Sequence, residues 1–213
     1  MIKSKFSDWT RADLEDTFAL NQVWDHAVLQ QWLDQANTSV IETMEQQWVN
    51  NLHQTLIVHV DDWNELELSE YFLGPILTLV NFNTQDFSIF ADRELTGIIG
   101  DYELTGKPDA MVAKGLRRPK TPYFCFHEYK RENEPKGEPV SQVLVAMLVA
   151  QELNGHTMPI YGLYVAGKLW HFLILQGKEY CLSNAYVATR NEHLNDIVKI
   201  LKALKQIISE MVT

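Results

Sequence analysis

The 213-residue chain predicts an α/β domain, a mixed central β-sheet flanked by helices, with a helical segment ahead of it. Three observations predict it. β-prone runs cluster in residues 87–131 and again in 158–184, bounded by Gly, Asn, Asp and Pro. Between them, Val143 to Ala150 is apolar on every side, the pattern of a buried helix. Near both ends of the chain, apolar residues recur at three- and four-residue steps, the spacing of an amphipathic helix.

Residues 8–55 read as helices, with Ser7 or Asp8 able to cap the first. Asp25–Gln35 and Thr38–Gln54 follow, the second with a stripe of Val40, Ile41, Met44, Trp48 and Leu52. This N-terminal extension, residues 1–55, reads as an arm, a lid or a dimer contact. The domain proper spans 56–213. It starts with a short apolar run, Leu56–Val60, read as a strand or connector. Asp61 to Asn64 offer caps for a helix running to Val80, with stripes of Leu68, Phe72, Ile76, Leu79 and of Leu66, Leu73, Leu77, Val80. Strands are expected at Phe87–Ala91, Leu95–Leu104, Asp109–Ala113 and Tyr123–Arg131, with Gly97, Gly100 and Gly106 marking bends or close approaches. After a polar loop to Pro139, the buried helix stops at Asn154-Gly155. Met158–Val165 and Lys168–Leu175 read as a hairpin, followed by a strand at Glu179–Asn184. Glu192–Met211 closes the chain as an amphipathic helix, with Lys199, Lys202 and Lys205 on its solvated side and a second candidate surface for a homodimer.

Charge narrows the function classes. The net charge of −10 argues against a general polyanion binder. Between Lys107 and Lys136, however, eight bases stand against four acids, a local +4 that leaves −14 for the rest. Cys125 and Cys181 sit in β-prone runs and read as buried free thiols rather than a disulfide. The N-terminus lacks an apolar signal core and no run approaches a membrane span, so a cytoplasmic protein is expected. The seven histidines lack zinc-ligand spacing, and no glycine-rich phosphate loop is present.

One constellation carries chemistry. In a strand, residues two apart point the same way, so Glu128 and Lys130 project together while Tyr129 points away. If the preceding run pairs beside them, Asp109 joins the pair. Two carboxylates can hold a hard divalent cation, and an ammonium beside them can offset charge on a phosphoryl group.

Pro108-Asp109, eighteen residues, then Glu128-Tyr129-Lys130 resembles the signature of the PD-(D/E)XK, restriction endonuclease-like nucleases. The resemblance spans about residues 61–180. It implies a restriction endonuclease-like sheet and metal-dependent hydrolysis of a nucleic-acid phosphodiester, DNA by the superfamily's habit. It implies Mg²⁺ or Mn²⁺ held by Asp109 and Glu128 with help from the Tyr129 carbonyl, and Lys130 as the charge stabiliser. A third acid is implied from the helix before the sheet, Glu67 in preference to Glu65, though the helix dipole alone explains acids there. Gln142 matches a glutamine of the exonuclease branch, whose tyrosine four residues on is replaced by Ala146. Arg117, Arg118 and Lys120 read either as phosphate contacts or as a solvated loop. A non-catalytic interaction module of the same fold and a hydrolase of small phosphoesters are the alternatives.

Overall fold

The computed structural model describes residues 1–131 and 138–212. In its first half, β1 (Ile2–Lys5), α1 (Arg11–Phe18), β2 (Asn21–Gln22), α2 (Ala27–Ala36) and α3 (Thr43–His59) lead to a broken helix. That helix comprises α4 (Glu65–Leu68), a π-helical turn at Ser69–Leu73 and α5 (Gly74–Val80). Five strands follow: β3 (Phe87–Ala91), β4 (Leu95–Ile99), β5 (Tyr102–Gly106), β6 (Ala110–Lys114) and β7 (Lys120–Lys130). The second half holds α6 (Pro139–Leu153), β8 (Ile160–Ala166), β9 (Leu169–Gln176), β10 (Glu179–Leu182), β11 (Tyr186–Val187) and α7 (Asn191–Val212).

The architecture is mixed α/β. The larger sheet runs β2-β10-β9-β8-β7-β6-β3, with β11 pairing on β9. Within it β7 and β8 are parallel, joined through α6 as a βαβ crossover, and β7 with β6 is antiparallel. A smaller sheet, β1-β5-β4, lies apart. Helix α6 packs on β7 and β8 and also on β4, so sheet covers two of its sides. That is why its residues from Val143 to Ala150 are all buried. The approach is close enough to need glycine. A Cβ on Gly97 of β4 would lie 2.7 Å from Val149, and one on Gly162 of β8 would lie 2.6 Å from the Met147 sulfur. The opposite face of the large sheet carries α2, α3, α5 and α7 around Trp32, whose indole N–H donates to the Ile200 carbonyl at 2.9 Å.

Several expectations are corrected. Leu56–Val60 is no strand, because α3 runs on to His59 and buries Val49, Leu52 and Leu56. The expected stripe is split: Val40, Met44 and Trp48 are exposed, whereas Leu52 is buried and Ile41 packs against the core. Leu66 is exposed as well. Leu95–Leu104 is a hairpin rather than one strand, turning at Gly100 with φ +56°. The first 55 residues include two strands, and their side chains enter both cores. Thr10, not Ser7 or Asp8, caps α1, in a reciprocal box with Asp13. Lys202 and Lys205 are not solvated decoration: Lys202 binds Glu45 at 2.7 Å, and Lys205 donates to the Val80 carbonyl at the end of α5. The acids and base at 132, 134 and 136 fall outside the described residues. Both cysteines are free and buried, as expected. Among the described residues, no helix is long and apolar enough to cross a membrane.

Candidate active site

Strand alternation builds the site. Cys125 and Tyr129 of β7 belong to the core on the α7 side, and Phe126 to the core around α6. Glu128 and Lys130 continue the Phe126 series. Their charged ends meet, Lys130 Nζ lying 3.1 Å from Glu128 Oε1. Tyr129 goes the other way, where its hydroxyl lies 2.7 Å from His127 Nδ1. His127 is fully buried, its Nε2 lacks a partner among the described residues, and burial drives its pKa down to about 3.

Asp109 arrives by register. β6 and β7 pair Ala110 with His127. One step further along an antiparallel ladder sets Asp109 opposite Glu128. The Asp109 carboxylate is anchored there, its Oδ2 accepting the Tyr129 backbone N–H at 2.6 Å. Asp109 Oδ1 and Glu128 Oε2 accept no hydrogen bond among the described residues.

The two acids strain against one another. Burial raises the Glu128 pKa to about 7, and the neighbouring Asp109 charge adds to the rise while Lys130 opposes it. Asp109 is raised too, chiefly by burial, with the Tyr129 N–H and Lys130 pulling back. Burial works against the Lys130 ammonium, but Glu128 leads the carboxylates that outweigh it, and its pKa goes up. One cation is therefore shared among acids that outnumber it.

Glu65, not Glu67, completes the cluster around Lys130. Glu65 Oε2 lies 3.6 Å from Lys130 Nζ. Glu67 is spent on the α4 N-terminus, where Asn64 N–H donates to its carboxylate at 2.9 Å and Asn64 Oδ1 accepts the Glu67 N–H. That reciprocal box turns Glu67 toward the cap. Just beyond, the π-helical turn closes with the Gly74 N–H donating to the Ser69 carbonyl. Such turns cluster at functional sites, and here Ser69 and Gly74 line a cleft of about 270 Å³ with Leu77, Asp109 and Tyr129.

Other expected residues lie elsewhere. Gln142 occupies the first turn of α6, half-buried, and hydrogen-bonds to none of Asp109, Glu128 and Lys130. Arg117, Arg118 and Lys120 are exposed at the opposite end of β7. Lys120 stands ten residues before Lys130 in that strand, which at about 3.3 Å per residue separates them by about 30 Å. The basic residues that cluster along the chain do not cluster at the site.

The sequence pattern also missed two residues. β8 sets Tyr164 beside Glu128, and β9 sets His171 beside Tyr164. Their rings stack with centroids 4.6 Å apart, about one strand spacing, so the stack extends the acid row across the sheet. Burial lowers the His171 pKa, offset by the Ser183 carbonyl, so the ring favours its neutral form. Only the strand register could have revealed this row, because 43 positions of sequence separate Glu128 from His171.

The donor set fits a hard divalent cation. Two carboxylates approach in register, each with one oxygen committed and one open, and both resist ionising together. A divalent ion bound through one or two carboxylates, with water for the remainder, matches that arrangement. Among the described residues, no group of three His, Cys, Asp or Glu side chains is placed to hold a metal ion, so any such ion would rest on the pair. No protein-family model matches the chain, and no curated protein is detectably similar to it.

Proposed function

We propose that the protein is a metal-dependent phosphodiesterase of the restriction endonuclease-like fold, acting on nucleic acid and on DNA in particular. The observation that carries this is the juxtaposition of Asp109, Glu128 and Lys130. Asp109 immediately precedes β6, which pairs with the strand carrying Glu128 and Lys130, and Lys130 lies 3.1 Å from Glu128. A merely structural ion pair has no use for a second buried carboxylate that raises the pKa of the first. The βαβ crossover from β7 through α6 to β8, which follows the strand carrying Glu128 and Lys130, supports the same reading.

In this reading Asp109 and Glu128 hold Mg²⁺ or Mn²⁺. When bound, such an ion polarises a phosphoryl oxygen and makes its water a better nucleophile. The protein's own residues do the rest. The Tyr129 N–H fixes the rotamer of Asp109 through Oδ2. Lys130, kept cationic by its acidic neighbours, offsets the negative charge that grows on the phosphoryl group. Glu65 holds the ammonium from the other side. The test is cleavage of single- and double-stranded DNA with Mg²⁺ or Mn²⁺ against an EDTA blank. Activity that vanishes in Glu128→Ala supports the reading. Absence of cleavage and of metal binding in the wild type favours the non-catalytic module.

A further inference from the structure

Between Arg11 and Arg93 the chain has no Lys or Arg, yet it has fourteen Asp and Glu. This stretch builds α3, α4 and α5, and it carries an apolar surface that none of the described residues covers. On α3, Met44 is 81% exposed and Trp48 49%, and Thr55 continues the same side at helical spacing. The stripe leads into a groove of about 460 Å³ between α3 and the broken helix, lined by Thr55, His59, Trp63, Glu70, Tyr71 and Pro75. Trp63 stacks on His59 at 5.9 Å and tilts against Tyr71 at 6.0 Å. Leu66 and Val58 are exposed nearby in sequence, 65% and 66%.

We propose that this face docks a basic, partly apolar segment of a partner protein, whose Lys or Arg side chain enters the groove between Trp63, Tyr71 and Glu70. The argument is complementarity. Aromatic ring faces attract cations, and a carboxylate at the rim adds a charge-assisted contact. Glu70 is exposed and makes no ion pair with the described residues, whereas Glu45, Asp61 and Glu65 are already answered by Lys202, Lys168 and Lys130. A second copy of this chain would bring the same acids face to face and be repelled. Nucleic acid would be repelled for the same reason. The exposed Met44, Trp48 and Val58 supply the apolar contact that a helix or strand of the partner would bury. This surface owes nothing to the catalytic reading and stands or falls apart from it.

The probe is a fourteen-residue peptide of Leu and Lys at helical spacing, with a matched peptide carrying Glu for Lys. Both are titrated into the full chain and followed by tryptophan fluorescence and calorimetry. Saturable binding of the Lys peptide is expected, weaker at high salt. It should fall about tenfold or more in Tyr71→Ala and in Glu70→Lys, the range of one desolvated cation–π contact. Glu70 and Tyr71 are surface residues, and circular dichroism checks that both variants fold. Equal binding of the Glu peptide, or undiminished binding of the Lys peptide in both variants, overturns the proposal. So does absence of saturable binding, and so does a wild-type dimer in sedimentation that Met44→Ser with Trp48→Ser dissociates, which would assign the face to a second copy.

Discussion

The two ends of β7 carry charge in opposite ways. At the C-terminal end, Glu128 and Lys130 are mostly buried, 6% and 15% exposed at the side chain, and locked to each other and to Glu65. At the N-terminal end, Lys120 and its neighbours Arg117 and Arg118 stand in solvent. In the sequence both ends fall within one basic segment. In space an eleven-residue strand holds them about 30 Å apart. Burial is what makes the difference chemical. Coulomb energy grows as the local dielectric falls, so the charges of the buried end perturb one another's protonation equilibria. The exposed end is left with ordinary, salt-screened charges.

The largest expected effect separates the ends by rate. Glu128→Ala and Lys130→Ala should each cut DNA cleavage by about a hundred- to a thousand-fold or more, whereas Arg117→Ala with Arg118→Ala should leave kcat within about twofold. A loop variant as inactive as Lys130→Ala would erase the distinction. Metal affinity sharpens it next. Millimolar Mn²⁺ should raise the wild-type Tm, by several degrees if it saturates the site, since binding at about a hundred times Kd stabilises by about 2.7 kcal/mol. Asp109→Asn should abolish the rise and the double loop variant should keep it; a scan in which Asp109→Asn responds like the wild type places the ion elsewhere.

A third expectation concerns pH. Glu128 titrates near 7 in the folded chain, above its ordinary 4.5. The folded state thus binds more protons than the unfolded one between those values, and wild-type stability falls as pH rises from 4.5 to 7. Glu128→Gln removes that loss, so its Tm relative to wild type should be higher at pH 8 than at pH 5, by a few degrees. Mn²⁺ should shrink the gap at pH 8 by favouring the charged wild-type carboxylate. A difference that does not change with pH would show that Glu128 is not perturbed. The smallest effect tests the exposed end alone. If a DNA duplex spans both ends, neutralising Arg117 and Arg118 should flatten the salt dependence of binding by about two units of logarithmic slope, close to 0.9 per phosphate contact. An unchanged slope confines the contact to the buried end.

Parts of this arrangement were legible before any coordinates. The two-residue step from Glu128 to Lys130 has only one meaning in a strand, and the aromatic run around it makes the strand itself plain. The all-apolar run of α6 could only be buried, and two sheets bury it. By contrast, the resemblance prefers Glu67 to Glu65 as the third acid, and the structure commits Glu67 to the Asn64 box and sets Glu65 beside Lys130. The stripe expected on α3 is only partly its buried face, since Leu52 is buried while Met44 and Trp48 are exposed. Met44 and Trp48 are as apolar as Val49 and Leu56, and only the packing partners choose the face.

What the sequence determined by itself is therefore what depends on near neighbours: the periodicity of α6 and α7, the alternation of β7, and the common side of Glu128 and Lys130. Tertiary structure alone decided the rest. It paired β1 with β5 and β2 with β10, strands too short to stand without a distant partner. It set Asp109 across from Glu128 and Tyr164 beside it, and it carried Arg117 and Arg118 to the far end of the strand. Those outcomes depend on register between segments that are remote along the chain. Register is settled by which faces the whole sheet can bury, and no local pattern contains that information.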